Sequence, residues 1–406
     1  MMNKGTDYER KQEELTWLEN LQRNSWEPEV IISGITLAFL FVFPAKIYEF
    51  SVYLIQEVGV GYLPSLLILF YLTTVVSVFK IFFVVHLCLR FVWAGLLGLS
   101  YAFPEGVINK NLFKMSQDYE YQKPADMVHR LEKGCSITFA YPVSLVLVFL
   151  TFTVYLGLLI GIYVWFDLNF FIISMIFMVS MIGFMALTFA KKKTKLKTWY
   201  TQSMLNSISA IYQSNIGKWL AVVYAFLIFA FSTPIIISDT QDFTTFSNDR
   251  GLIEKELEWS AKYLHYETEH DFNTRYPRSF IPSEEISDDY LRLGIARYEG
   301  DGKIIEQLNT DFAKELDSLG WKTLEETADL HRVYIDEQLV KIDSWSKHRI
   351  GTTKQKIYQT GIDVSNLEDG THSLRVQKLL LEYGFVDNKP TLIILNQWDQ
   401  FQFVKR

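Results

Sequence analysis

Few of the features that announce an enzyme are present in this 406-residue chain. It has two cysteines, Cys88 and Cys135, which is too few for a disulfide framework and leaves the C-terminal half without any thiol. No Gly-x-x-x-x-Gly-Lys-Ser/Thr or Gly-x-Gly-x-x-Gly loop is there to cradle a phosphate. No Gly-x-Ser-x-Gly, His-Glu-x-x-His or Cys-x-x-Cys marks a nucleophile or a metal. Charged residues make up only 21% of the chain against 49% hydrophobic and 16% aromatic, too little charge to cover a soluble protein of this size. The net charge of −7, with no basic stripe interleaved with aromatics, argues against nucleic acid.

The apolar residues are bunched into long runs. A helix crosses about 30 Å of hydrocarbon with about 20 residues, and five segments meet that demand: 30–50, 62–85, 137–166, 168–190 and 219–238. The first follows a charged segment, 1–29, which is unlike a cleavable signal peptide and is expected to be cytoplasmic. Trp26, Trp165, Trp199 and Trp219 fall near proposed ends, as interfacial tryptophans do. Spans three and four are divided only around Asp167 and Asn169, which predicts a tight antiparallel pair.

The run 62–103 is 42 residues, too long for one crossing, and it sets the parity of the topology. If it crosses once, Lys and Arg collect on alternate loops: Lys4, Arg10, Lys11 and Arg23; then Lys110, Lys114, Lys123, Arg130 and Lys133; then the Lys191–Lys197 region. Cytoplasmic loops carry that excess. Five crossings are therefore expected, with the N-terminus inside and the C-terminal region outside. The remainder of the run, 86–103, is read as an interfacial or re-entrant helix, with Gly95 and Gly98 available for a break.

No Asp or Glu lies in the centres of the five spans. Charge within a bilayer is costly and marks function by default, so its scarcity lowers the odds of an ion-coupled transporter or an intramembrane protease. Basic groups do occur toward the end of span two. Lys80, His86 and Arg90 are candidates for an anion or lipid head-group site, His86 and Arg90 sharing a helical face; snorkelling to the interface is the plainer reading. The lysines of 191–197 are expected to touch anionic lipid. Gly157 and Gly161 form a Gly-x-x-x-Gly suited to helix packing, within the chain or in an oligomer.

The region 239–330 reads as a helical and linker segment, with helices expected near 252–266 and 310–319. From about His331 the apolar period shortens to two. Asp336-Glu337 is a plausible turn, 356–364 a strand, and 391–404 two short strand patterns broken near Asn396-Gln397. In 371–379, Leu374, Val376 and Leu379 are set against Ser373, Arg375 and Lys378, and Asp369-Gly370 is a hairpin signal.

The stretch Leu367, Asp369, Gly370, His372, Leu374, Val376 (L-x-D-G-x-H-x-L-x-V) resembles a turn-and-strand passage of immunoglobulin-like and fibronectin-type domains of bacterial surface proteins. The resemblance covers about ten residues and lacks the Cys…Trp…Cys core of antibody domains. It implies an Ig-like β-sandwich over 331–406 and no activity. Two weaker signals remain. Ser344 to Lys347 matches Ser-x-x-Lys without companion motifs. His265, Glu267, Glu269 and His270 carry metal-binding groups, though the two histidines lie about 140° apart on a helix.

The expected fold is thus a polytopic α-helical membrane protein, five crossings plus one interfacial or re-entrant helix, with a C-terminal α+β soluble region ending in an Ig-like β-sandwich. The expected role is non-enzymatic and cofactor-free. An extracytoplasmic module at a bacterial inner membrane would bind a protein partner in envelope interaction, sensing or assembly. The alternative is a transporter, channel subunit or lipid-handling protein using Lys80, His86 and Arg90.

Overall fold

The computed structural model describes residues 26–108, 112–116, 119–166, 168–189, 195, 198, 203–248, 262–321, 324–383 and 389–406. The segment 1–25, most of the Lys191–Lys197 region, Lys110, Asp167 and most of the helix expected at 252–266 lie outside the described residues.

Among the described residues, six helices carry the apolar half: α1 (Trp26–Tyr53), α2 (Tyr62–Ala102), α3 (Pro124–Trp165), α4 (Phe170–Phe189), α5 (Met204–Tyr212) and α6 (Lys218–Asp239). Of the described residues, four stretches are long and apolar enough to cross a membrane: Glu27–Val58, Tyr62–Ala102, Leu145–Trp165 and Val222–Asp239; Phe171–Leu187 is a shorter apolar helix. α1 ends in a π-helical turn, Leu54–Val58, closed by Gly59 in the left-handed region with φ of 77°. Glycine takes that conformation without a Cβ penalty.

The separate helix expected at 86–103 is corrected: α2 runs unbroken through all 41 residues, about 60 Å at about 1.5 Å per residue. Neither Gly95 nor Gly98 breaks it, and an added Cβ at either would meet nothing within 4 Å. A glycine weakens a helix but does not end it when its neighbours are strong formers. At the head of α4, Asn169 Oδ1 accepts from the Phe171 amide at 2.9 Å, as a side-chain cap does.

Two compact units divide the chain: 1–44, 74–157 and 186–236 in one, and 45–73, 158–185 and 237–406 in the other. The core of the first is aromatic and aliphatic. Phe82, Tyr141 and Tyr224 meet with ring centroids 5.3 to 5.6 Å apart, beside Val78 and Ile228. Tyr212 closes it by donating to the Ile137 carbonyl at 2.7 Å.

The second unit holds a short helix α7 (Lys262–His265), strands β1 (Ser279–Phe280), β2 (Glu285–Ile286) and β3 (Tyr290–Ala296), helices α8 (Gly302–Asp311) and α9 (Ala313–Ser318), and strands β4 (His331–Ile335), β5 (Gln338–Leu339), β6 (Ser346–Arg349), β7 (Lys356–Asp363), β8 (Gly370–Tyr383) and β9 (Pro390–Lys405). They form two sheets, ordered β1-β3-β7-β6 and β2-β9-β8-β4-β5. Among the described residues every pairing of these strands is antiparallel except β2 with β9. The sheet region therefore begins at Ser279, not at His331, because β1 and β3 are needed as partners for β7 and β2 lies against β9.

Alternation fills the core. Val333 and Ile335 of β4, Leu374 and Val376 of β8, and Phe401 and Phe403 of β9 are buried. A second cluster gathers Leu308 of α8, Leu316 of α9, Trp321 and Leu330 against Leu379 and Leu381. Asp336 and Glu337 turn the β4–β5 hairpin, both with positive φ (46° and 67°), as a two-residue hairpin loop requires. Asp369-Gly370 does not make a hairpin: β7 and β8 lie in different sheets, so this turn carries the chain from one to the other. The break expected near Asn396-Gln397 is a β-bulge. Val376 faces Asp399 but Lys378 faces Leu395, so three residues of β9 stand opposite Gln377.

Candidate functional site

Each half of the chain buries charge. In the helices, Lys80, His86 and Arg90 are all buried, but they do not form one group. The Lys80 ammonium lies over the Phe41 ring, 5.5 Å from its centroid, ten residues and therefore about 15 Å along the helix from Arg90. His86 and Arg90, one turn apart, both face the first turn of α1. The His86 Nδ1 is 3.0 Å from Ser33 Oγ, and its Nε2 is 3.8 Å from the Glu29 carboxylate. Arg90 Nη2 donates to Glu29, and the guanidinium lies over the Trp93 ring at 5.5 Å. The Phe139 ring of α3 packs on His86 at 5.0 Å.

The span centres are free of carboxylates, but the start of α1 supplies one that the 30–50 boundary places outside the span. Arg90 Nε and Nη1 and His86 Nε2 are buried without a hydrogen-bond partner. Gly157 and Gly161 have nothing within 4 Å of an added Cβ among the described residues.

Three of the four candidate metal ligands, His265, Glu267 and His270, have other partners. His265 stacks on Phe401 at 4.5 Å. Glu267 pairs with Arg292. His270 stacks on Tyr276 at 3.9 Å, with its Nδ1 2.7 Å from the Tyr263 carbonyl oxygen. Among the described residues no three His, Cys, Asp or Glu side chains converge as a metal would need. Aromatic stacking occupies the faces that ligation would have to reorient.

Two polar clusters carry no local signal in the sequence. The first joins the end of α1 to loops of the sheet region. Gln56 Nε2 donates to the Tyr276 carbonyl at 2.9 Å, and Gln56 Oε1 accepts from Gln355 Nε2 at 3.1 Å. Gln355 Oε1 in turn accepts the Tyr276 amide at 2.9 Å. Glu57 accepts from Arg275 Nη1 at 3.3 Å and pairs with Lys356 Nζ at 3.0 Å. Glu49 lies 3.8 Å from the same arginine, whose guanidinium covers the Tyr53 ring. Beside this, Tyr48 and Tyr62 pack on Phe243 with centroids 5.5 and 5.8 Å away. The partners are more than 200 residues apart in the chain, which is why spacing rules could not find them.

The second cluster surrounds Lys378. Its ammonium is fully buried, 2.7 Å from Asp301, and also donates to Asn248. The Tyr298 and Trp398 rings flank it at 5.0 and 4.7 Å. Arg278, also buried, donates to the Ser247 and Trp398 carbonyls at 3.0 and 2.5 Å. Nearby His331 is held well below the usual histidine range, first by burial and then by the Lys378 charge. The network ties the chain just after α6 to the sheets.

No known protein family, curated protein or solved structure matches this chain.

Proposed function

We propose that this chain is a non-enzymatic integral membrane protein of a bacterial inner membrane. In this reading it crosses five times, with its N-terminus in the cytoplasm. Its sheet region stands outside as an Ig-like module that binds another envelope component, in sensing or in complex assembly. A protein partner for that region, anionic lipid at the Lys191–Lys197 region and self-association through Gly157 and Gly161 belong to the same proposal.

One observation carries the reading. The Gln56, Glu57, Arg275, Gln355 and Lys356 junction fixes the sheet region to the last turn of α1 through buried hydrogen bonds and ion pairs. A module tethered only to be near a membrane needs a linker; one that reports or transmits a load needs a seat that holds its orientation. Buried amides satisfied on both sides meet that need.

The test is a photo-crosslinker placed on the exposed Leu339 of the β4–β5 hairpin in intact cells, with reporter fusions after Arg406. We expect an active alkaline phosphatase fusion, a dark green fluorescent protein fusion and one dominant crosslinked envelope protein. A bright fluorescent fusion with inactive phosphatase would defeat the outside placement. Absence of any crosslinked partner from several sites on the sheet region would defeat the binding role.

A further inference from the structure

The cluster of Glu29, His86 and Arg90 is a built site with unspent donors, and this sets it apart from every other buried cation in the described residues. We infer that it holds the phosphate diester of a membrane lipid. Arg90 is 4% exposed, and of its three nitrogens only Nη2 meets Glu29 while Nε and Nη1 have no partner. His86 Nδ1 lies 3.0 Å from the Ser33 hydroxyl, and its Nε2, 3.8 Å from the Glu29 carboxylate, is a third buried nitrogen with no hydrogen-bond partner. Buried donors without acceptors are rare, and charged ones rarer, unless something absent from the chain itself supplies the oxygens.

A phosphate diester fits the demand. Its two non-bridging oxygens accept from several N–H groups at once, and a planar guanidinium is the side chain best matched to them. Position favours a lipid as the source. Glu29 lies in the first turn of α1, where the apolar stretch Glu27–Val58 begins, and head groups sit where apolar helices end.

Glu29 sharpens the selection. Its carboxylate neutralises Arg90, so the site has no net positive charge to draw in a small anion from solution. Its side chain is 14% exposed and so remains open to the ammonium of a zwitterionic head group. A phosphoethanolamine lipid satisfies both ends, phosphate on Arg90 and His86, ammonium on Glu29. Lys80 has no part in it, being about 9 Å from His86 and about 15 Å from Arg90 along α2, with its ammonium over the Phe41 ring.

The experiment is native mass spectrometry of the full chain in detergent, with phosphatidylethanolamine, phosphatidylglycerol or inorganic phosphate added in turn. We expect one phosphatidylethanolamine retained by the unaltered chain, with phosphatidylglycerol held more weakly. Arg90→Gln should lower retention about tenfold, the scale of one charge-assisted pair, and Lys80→Gln should leave it unchanged. Because Arg90→Gln strands Glu29, the double variant Glu29→Gln, Arg90→Gln is measured beside it; it keeps the shapes, removes both charges and should lose the lipid equally. Equal retention by the unaltered chain and the double variant would overturn the site. Displacement of lipid by millimolar inorganic phosphate would overturn the lipid as its ligand, and preferential retention of phosphatidylglycerol would overturn the role given to Glu29.

Discussion

The helical half and the sheet half each bury a cation beside a carboxylate, and they treat it differently. Lys378 meets Asp301, Asn248 and two aromatic faces, and its nitrogen is not among the buried unsatisfied atoms. Arg90 meets Glu29 and one aromatic face, and two of its nitrogens are left over. Burying a charge is costly in either setting, and the cost is contained only where every hydrogen is taken. A closed network is a staple; an open one points to a ligand. Buried charge therefore distinguishes structure from function by its unpaired hydrogens rather than by its presence.

Perturbing the closed network should have the largest effect. Lys378→Met strands the buried Asp301 and should cost about 3–5 kcal/mol, seen as a lower unfolding midpoint of the full chain in detergent. Adding Asp301→Asn should recover much of the loss. Arg90→Met should cost less than Lys378→Met, since Arg90 has fewer bonds to lose; an equal cost would erase the distinction.

Packing comes next. Gly294 of β3 lies under the Phe280 ring, which leaves no room for a Cβ. Gly294→Ala should cost about 1–3 kcal/mol in the same unfolding measurement, and Phe280→Leu should relieve it in combination. At the junction, Glu57→Gln should cost about 1–3 kcal/mol, read as faster hydrogen exchange at the amides of Gln355 and Lys356 with the β4–β8 amides unchanged.

The smallest effect concerns pH, and two histidines of the sheet region pull it in opposite directions. His331 is buried neutral, so the unfolded chain alone takes up its proton as pH falls through about 6.5, and stability falls with it. His372 is raised by its hydrogen bond to Asp336, 2.5 Å away. Its contribution is full below the ordinary histidine value and fades as pH rises through its own. Burial opposes the shift of Asp336, but the His372 bond outweighs it and holds that carboxyl below its usual value, so this half of the pair survives until strong acid. Thermal melting between pH 5 and 8 should show net loss on the acid side, steeper in His372→Gln and flattened in His331→Gln.

Much of this was legible in the chain. Apolar runs gave the long helices, and charge scarcity gave their setting. The positive-φ turn at Asp336-Glu337 and the irregularity at Asn396-Gln397 were both visible as breaks in a period of two. Lys378 misled: alternation puts it with Leu374 and Val376, but a lysine reads as solvent-facing until Asp301, 77 residues away, is known to meet it. Glu29 carries no such signal, because the neutralising carboxylate sits in the first turn of α1 and not in a span centre. Asp369-Gly370 has the residues of a hairpin turn but changes sheets, a choice made by partners far away in sequence. The α2 glycines had the composition of a break but lacked the proline or left-handed backbone that would make one.

The contact between Gly59 and Gly300 has a separate consequence. A Cβ on Gly59 would come 3.1 Å from the Gly300 nitrogen, so main chain rests on main chain there, with no side chain as a spacer. Salt or acid can loosen the carboxylates around Arg275, yet the gap at this point is set by atoms that neither titrate nor change rotamer. Evolution can retune the strength of the seat by exchanging charges while its height stays the same.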